Sequence, residues 1–200
     1  MSTEFYYNTV EQQSVAEFTD RGSKFIAYVF PIVEVIQFKE SLAHIKKEHP
    51  KASHHCFAYR IGYDKLVYRV SDDGEPSGSA GRPILGAIDS LQLTNVLVVV
   101  VRYFGGTLLG VPGLINAYKS SALLAFKQVA ILKKPILSSI DLEFDYTVMN
   151  DVMRIVKQTG CAVLHQEQGL FCTMKLGVPL EHFIAIVNRI KDLRVVAIKE

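Results

Sequence analysis

The chain has 200 residues, 49% hydrophobic and 21% charged, a balance that excludes intrinsic disorder and fibrous repeats and leaves enough apolar surface for a real core. Its longest aliphatic run, Val96 to Val101, is six residues long, against the roughly 20 that a membrane-spanning helix needs. A net charge of +2 announces no polyanion binder, but residues 1–134 hold 15 basic and 12 acidic side chains and residues 135–200 hold 7 and 8, so a polyanion is expected on the first part.

The opening MSTEFYYNTV has no basic segment leading into an apolar stretch, so a cytoplasmic protein is expected. Cys56, Cys161 and Cys172 are odd in number and lack a CxxC spacing, which reads as reduced thiols and as neither a disulfide framework nor a zinc site. Val15–Phe18 and Phe25–Phe30 flank Asp20-Arg21-Gly22-Ser23, the makings of a hairpin turn. Val35, Phe38, Leu42 and Ile45 form a helical stripe that stops at His49-Pro50. Cys56–Ile61 and Leu66–Val70 predict a second hairpin around Gly62-Tyr63-Asp64-Lys65. Helices are predicted at about 83–91 and 112–128, on either side of the valine run, which is apolar enough for a strand covered on both faces.

Ile131-Leu-Lys-Lys-Pro-Ile-Leu-Ser138 reads as the basic, proline-stopped end of the last helix and as a domain boundary, with domains at 1–134 and 135–200. Beyond it the period is clear. Ile140, Leu142, Phe144 and Tyr146 alternate with polar residues as a strand, Val148, Val152, Ile155 and Val156 mark a helix, and Gly160 sits at its C-cap. Cys161–His165 and Leu170–Gly177 read as strands, Pro179 opens a helix carrying Leu180, Phe183, Val187 and Ile190, and Val195–Ile198 closes as a strand. The order β-α-β-β-α-β is that of the ferredoxin-like split βαβ. The fold class is therefore α+β.

Two glycine-rich loops stand out, Ser71–Arg82 (SDDGEPSGSAGR) and Arg102–Gly113 (RYFGGTLLGVPG). Each runs into a predicted helix with a proline near its first turn, an arrangement that leaves backbone N–H groups at the positive end of a helix dipole and suits an anion. Arg82 and Arg102 lie in these loops and Lys119 is two turns into the second helix. The plainer reading is that the glycines make tight turns and the arginines pair with Asp72, Asp73 or Glu75. Dinucleotide and P-loop motifs are absent. His54, His55 and Cys56, or the 71–82 loop, would supply a hydrolase-type site. Against that, strand alternation leaves only His54 on the face of Cys56, and Ser79 misses a GxSxG elbow by one position. Asp72, Asp73 and Glu75 read as a solvated turn in preference to a magnesium site, and His165 and His182 as structural. The second domain shows Asp141, Glu143 and Asp145 on the open sheet face, a surface that repels a phosphate backbone and suits a basic protein partner.

The strings SDDGEPSGSAGRPIL (71–85), VVVVRYFGGTLLGVPGLINAY (98–118), RGSKFIA (21–27) and HHCFAYRIG (54–62) resemble the YigZ/IMPACT family over most of residues 15–125. The resemblance implies a first domain like domain IV of elongation factor G, a ferredoxin-like second domain, and a link to translation with possible nucleic-acid binding and no established catalysis. Pro112 stands where a second glycine is expected, which removes one N–H donor. With the resemblance added, the expectation is a regulator that meets RNA or the ribosome through its first domain, without cofactor, metal or catalytic residue. Arg82, Arg102 and Lys119 would contact phosphates, Ser77 and Ser79 would add hydroxyls, Tyr103 would stack on a base, and Gly105, Gly106 and Gly113 would present backbone. A hydrolase and a protein-interaction module are the alternatives.

Overall fold

A computed structural model describes residues 4–193 and 196–199. In chain order the elements are β1 (Tyr6–Val10), β2 (Ser14–Asp20), β3 (Ser23–Pro31), α1 (Val35–Glu48), β4 (His54–Ile61), β5 (Val67–Ser71), α2 (Gly81–Ser90), β6 (Val96–Tyr103), α3 (Gly110–Phe126) and β7 (Ile131–Pro135). There follow β8 (Leu137–Phe144), α4 (Met149–Thr159), β9 (Ala162–Gln168), β10 (Cys172–Pro179), α5 (Phe183–Lys191) and β11 (Val196–Lys199). The chain divides into two units, one of residues Tyr7–Lys134 and one that begins at Pro135 and also takes the N-terminal residues through Tyr6. This is a mixed α and β protein of two domains.

In the first unit the valine run is the axis. β6 lies at the centre of a five-stranded sheet in the order β2-β3-β6-β4-β5, antiparallel to β3 on one side and to β4 on the other. Its residues Val96 to Val101 have no exposed surface. β3 and β4 therefore run parallel with β6 between them, and α1 supplies the crossover that such a pair requires. On one face α1 seats Phe38 and Ile45 against Phe57, Tyr59, Leu97, Val99 and Val101. On the other, α2 and α3 bring Ile84, Ile88, Leu114 and Tyr118 onto Phe25, Ala27, Cys56, Val98 and Val100. Both faces are covered, as an uninterrupted aliphatic strand demands.

One segment departs from expectation. Ile131 to Pro135 is not the end of a helix but strand β7, paired with β1 in a separate two-stranded sheet, while α3 already ends at Phe126. Alternate burial along β7 is the strand period. Lys133 and Lys134 thus belong to a ladder, and Pro135 ends it.

The second unit follows β-α-β-β-α-β order, and its sheet runs β11-β8-β10-β9 with every adjacent pair antiparallel. Ile140, Leu142 and Phe144 pack with Cys172, Met174 and Leu176 beneath Val152, Ile155 and Val156 of α4 and Ile186 and Ile190 of α5. Gly160 adopts φ +69° and closes α4 in the left-handed region. Val195, expected to open the last strand, lies outside the described residues.

Candidate functional site

Strand direction gathers the distinctive loops. The start of β3, the start of β4, the end of β5 and the end of β6 lie at one end of the first unit's sheet, since Ser71 pairs with Phe57, His54 with Arg102, and Phe25 with Arg102. The segments 21–25, 54–56, 71–82 and 102–113 therefore meet there.

The 71–82 loop is organised by Asp72. One carboxylate oxygen accepts the Gly78 N–H at 2.8 Å, and the other accepts those of Ala80 at 3.0 Å and Gly81 at 2.8 Å, at the head of α2. Burial works against the charge, but the three N–H donors outweigh it and Arg82 adds to them, so the Asp72 pKa is lowered. The anion at this helix start is the chain's own carboxylate. Ser79 is fully buried, its hydroxyl donating to the Pro76 carbonyl at 2.6 Å, whereas Ser77 and Arg82 are exposed.

Arg102 faces the α2 and α3 side of β6 and is 5% exposed. Its Nη1 donates to Glu75 Oε1 at 2.6 Å, and its Nη2 lies 3.3 Å from Ser23 Oγ. Of the two readings of this arginine, an open phosphate contact and an ion pair with the acidic loop, the geometry displays the pair. The pair also bridges the two glycine-rich loops. Tyr118 donates its hydroxyl to the same Glu75 oxygen at 2.7 Å. His54 Nδ1 lies 2.8 Å from the Asp73 carbonyl, which can only accept, so this nitrogen carries the proton and Nε2 faces Glu75 Oε1 at 3.8 Å. Arg102 Nε is buried and has no hydrogen-bond partner among the described residues.

Cys56 is fully buried, its sulfur 3.0 Å from the Asp72 carbonyl and 3.3 Å from the Tyr118 hydroxyl. Burial pushes the thiol pKa strongly upward, which keeps it protonated and far from the thiolate a nucleophile requires. The Tyr118 hydroxyl is driven upward by the same burial.

The glycines of the second loop do different work. Gly105 sits backbone to backbone on the β2–β3 turn, and its N–H lies 3.2 Å from Ser23 Oγ. Gly106 has φ +86° with open space around it, and Gly113 packs against Leu109. Tyr103 alternates to the opposite side from Arg102, where its hydroxyl lies 2.9 Å from His49 Nδ1. The aromatic rings beside Arg102 are instead fully buried Phe25, with the guanidinium carbon 5.4 Å from its centroid, and half-exposed Phe104, at 5.6 Å. Lys119 is exposed on α3.

Between the loops lies an open cleft of about 470 Å³. His54, Glu75 and Arg102 line it together with Pro76, Phe104, Leu108, Val111 and Leu114. Sequence reasoning named Arg102 and offered Glu75 among its ion-pair partners, but passed over Phe104, Leu108 and Tyr118. The available signal was an uncharged stretch from Tyr103 to Tyr118 holding apolar residues that a buried core does not need, such as Leu108 at 82% exposure.

Comparison with known proteins places this chain. The family model of the Impact N-terminal domain matches residues 21–126, the span that carries the four loops. The IMPACT family member YvyE of Bacillus subtilis is 32% identical over 153 residues, 76% of this chain and 70% of that one. The IMPACT family member YigZ of Escherichia coli is 29% identical over 187 residues, 90% and 92% of the two chains. A crystal structure described only as that of a hypothetical protein superposes with a TM-score of 0.76 at 25% identity, covering 98% of this chain and 97% of the other. The matched domain model spans more than half of the sequence and every loop of the cleft, and the chain belongs to the IMPACT family.

Proposed function

We propose that this protein acts in translation in the cytoplasm, meeting RNA or the ribosome through the loop end of its first unit. The first unit is taken as a relative of domain IV of elongation factor G, and the second as ferredoxin-like, a reading supported by its β11-β8-β10-β9 strand order. The observation that carries the function is the convergence of residues 21–25, 54–56, 71–82 and 102–113 at one end of the sheet, beside a cleft with a buried Arg102–Glu75 pair at its base. The exposed cations Arg82, at the start of α2, and Lys119, on α3, contact phosphates. Ser77 is exposed on the 71–82 loop, and Gly105, Gly106 and Gly113 shape the backbone. Arg102 and buried Ser79 hold the loops in place. On the second unit Asp141 and Glu143 face outward from β8, with Lys175 4.0 Å from Asp141. That surface suits a basic protein segment better than RNA.

The test is sedimentation of the tagged full chain with ribosomes at low and high salt. Co-sedimentation that falls with salt is expected, and Arg82→Ala or Lys119→Ala is expected to reduce the logarithmic salt slope by about 0.7 to 1 each. Glu143→Lys, outside the RNA path, leaves binding unchanged or tighter. A wild-type protein that stays in the supernatant at every salt concentration refutes the reading.

A further inference from the structure

We infer that the cleft between the 72–80 and 104–110 loops receives one unpaired RNA base, its face on Phe104 and its edge on the Arg102–Glu75 pair. The inference rests on the RNA reading above and names what the cleft itself takes.

The cleft, at about 470 Å³, falls in the range of sites that hold small flat ligands, roughly 300 to 1,000 Å³. Its walls are apolar and its base is polar. Phe104 is 50% exposed, and the Arg102 guanidinium lies 5.6 Å from its ring centroid, so a ring is already presented beside a cation. At the base Arg102 Nη1 donates to Glu75 Oε1 at 2.6 Å, which sets a guanidinium beside a carboxylate, the donor and acceptor groups on which base edges pair. Arg102 Nε remains buried without a partner among the described residues. An aliphatic side chain from a protein partner would fill the walls and leave Arg102 Nε still without a partner, a net cost. A phosphate would meet the Glu75 carboxylate, which already balances the Arg102 charge at 2.6 Å, and find no further charge from Tyr103 to Tyr118. A heteroaromatic ring with acceptors and donors on its edge satisfies walls and base together. Only an unpaired nucleotide exposes both its face and its edge, so single strands, loops and ends are the substrates.

The probe is a ten-nucleotide oligouridylate carrying one 2-aminopurine, used with the full chain. Wild type is expected to bind the single strand and quench the 2-aminopurine, and to bind the same strand in a duplex more weakly. Phe104→Ala is expected to lose about tenfold or more in affinity together with the quench, and Phe104→Tyr to keep both. Leu108→Ala, at a position 82% exposed, is expected to weaken the quench without touching the core, and so stands in if Phe104→Ala fails to fold. Arg82→Ala should lower affinity and leave the quench intact. If wild type binds the oligonucleotide and Phe104→Ala matches it in affinity and quench, the base in the cleft is wrong while the RNA reading stands. If wild type binds neither oligonucleotide nor ribosomes at low salt, both fall. If Phe104→Ala abolishes ribosome co-sedimentation while wild type binds no oligonucleotide, the cleft belongs to a protein surface and the inference is overturned.

Discussion

Gly105 lies against Gly22 so closely that a Cβ on Gly105 would fall 1.9 Å from the Gly22 carbonyl carbon and 2.2 Å from the Ser23 nitrogen. Backbone thus packs directly on backbone, joining the β2–β3 turn to the β6–α3 loop. Gly105→Ala is expected to destabilise the protein by more than about 3 kcal/mol, because neither neighbour is a side chain that can swing aside. Gly106→Ala, where φ is +86° and nothing lies within 4 Å, is expected to cost only about 1 kcal/mol from the left-handed backbone. Urea unfolding of the two variants measures the contrast. Equal costs would show that the close approach is dispensable.

Arg102 and Glu75 side chains are 6% and 4% exposed, so neither partner can turn to water when the other is removed. Glu75→Gln should keep the Tyr118 hydrogen bond yet strand a buried guanidinium, at a cost of about 3 kcal/mol. Adding Arg102→Met removes the stranded charge, and the double variant should be more stable than Glu75→Gln alone. A double-mutant cycle with no coupling between the two positions would contradict this pairing.

Asp72 gives stability a defined pH window. Its folded pKa is lowered below the ordinary 3.8, so its contribution is complete above the unfolded value and is lost as pH falls through the lower folded value. Asp72→Ala is expected to cost about 1 to 2 kcal/mol at pH 7, as loss of a helix cap does. It is also expected to flatten the fall in stability below about pH 4. Denaturant midpoints at pH 7 and pH 3 for both proteins check the slope.

Cys56 should be silent toward thiol reagents. Its sulfur is buried and its pKa raised by burial, whereas Cys161 is only partly buried. Mass spectrometry after brief iodoacetamide treatment at pH 7.5 should find Cys56 unmodified in native protein and modified in denaturant. Cys56→Ala is expected to cost on the order of 1 kcal/mol and to leave ribosome co-sedimentation intact. Rapid native alkylation of Cys56 would reopen the enzyme reading.

The parts that were legible in the sequence are those whose period is set by their own burial. Val96 to Val101 could only be a strand covered on both faces, and Ile140, Leu142 and Phe144 alternate so regularly with polar residues that the strand could not be missed. Gly160 announced the end of α4 through its left-handed cap. β7 was illegible for the opposite reason. Its partner β1 lies more than 120 positions earlier, and lysines followed by proline mimic a helix end when the partner is out of view. The site was legible in composition but not in contact. The glycines and arginines marked the loops, yet the pairing of Arg102 with Glu75 and the turning of Tyr103 to the α1 face follow from strand parity and register, which are fixed only when the sheet assembles.

The place of β6 in the sheet bears on how the protein is made. In the order β2-β3-β6-β4-β5, the strand at the middle is the last of the five to leave the ribosome. Until residues 96–103 emerge, β3 has only β2 and β4 only β5 to lie against, and the two hairpins remain separate pieces, each with an apolar edge open to solvent. Pairing across 77 positions, as between Phe25 and Arg102, also carries the loop-closure cost that slows folding. The first unit therefore cannot form its sheet cotranslationally from the N-terminus onward. A nascent chain stalled with residue 95 at the tunnel exit should be protease-sensitive throughout, and one that has cleared residue 126 should acquire protection across all five strands at once.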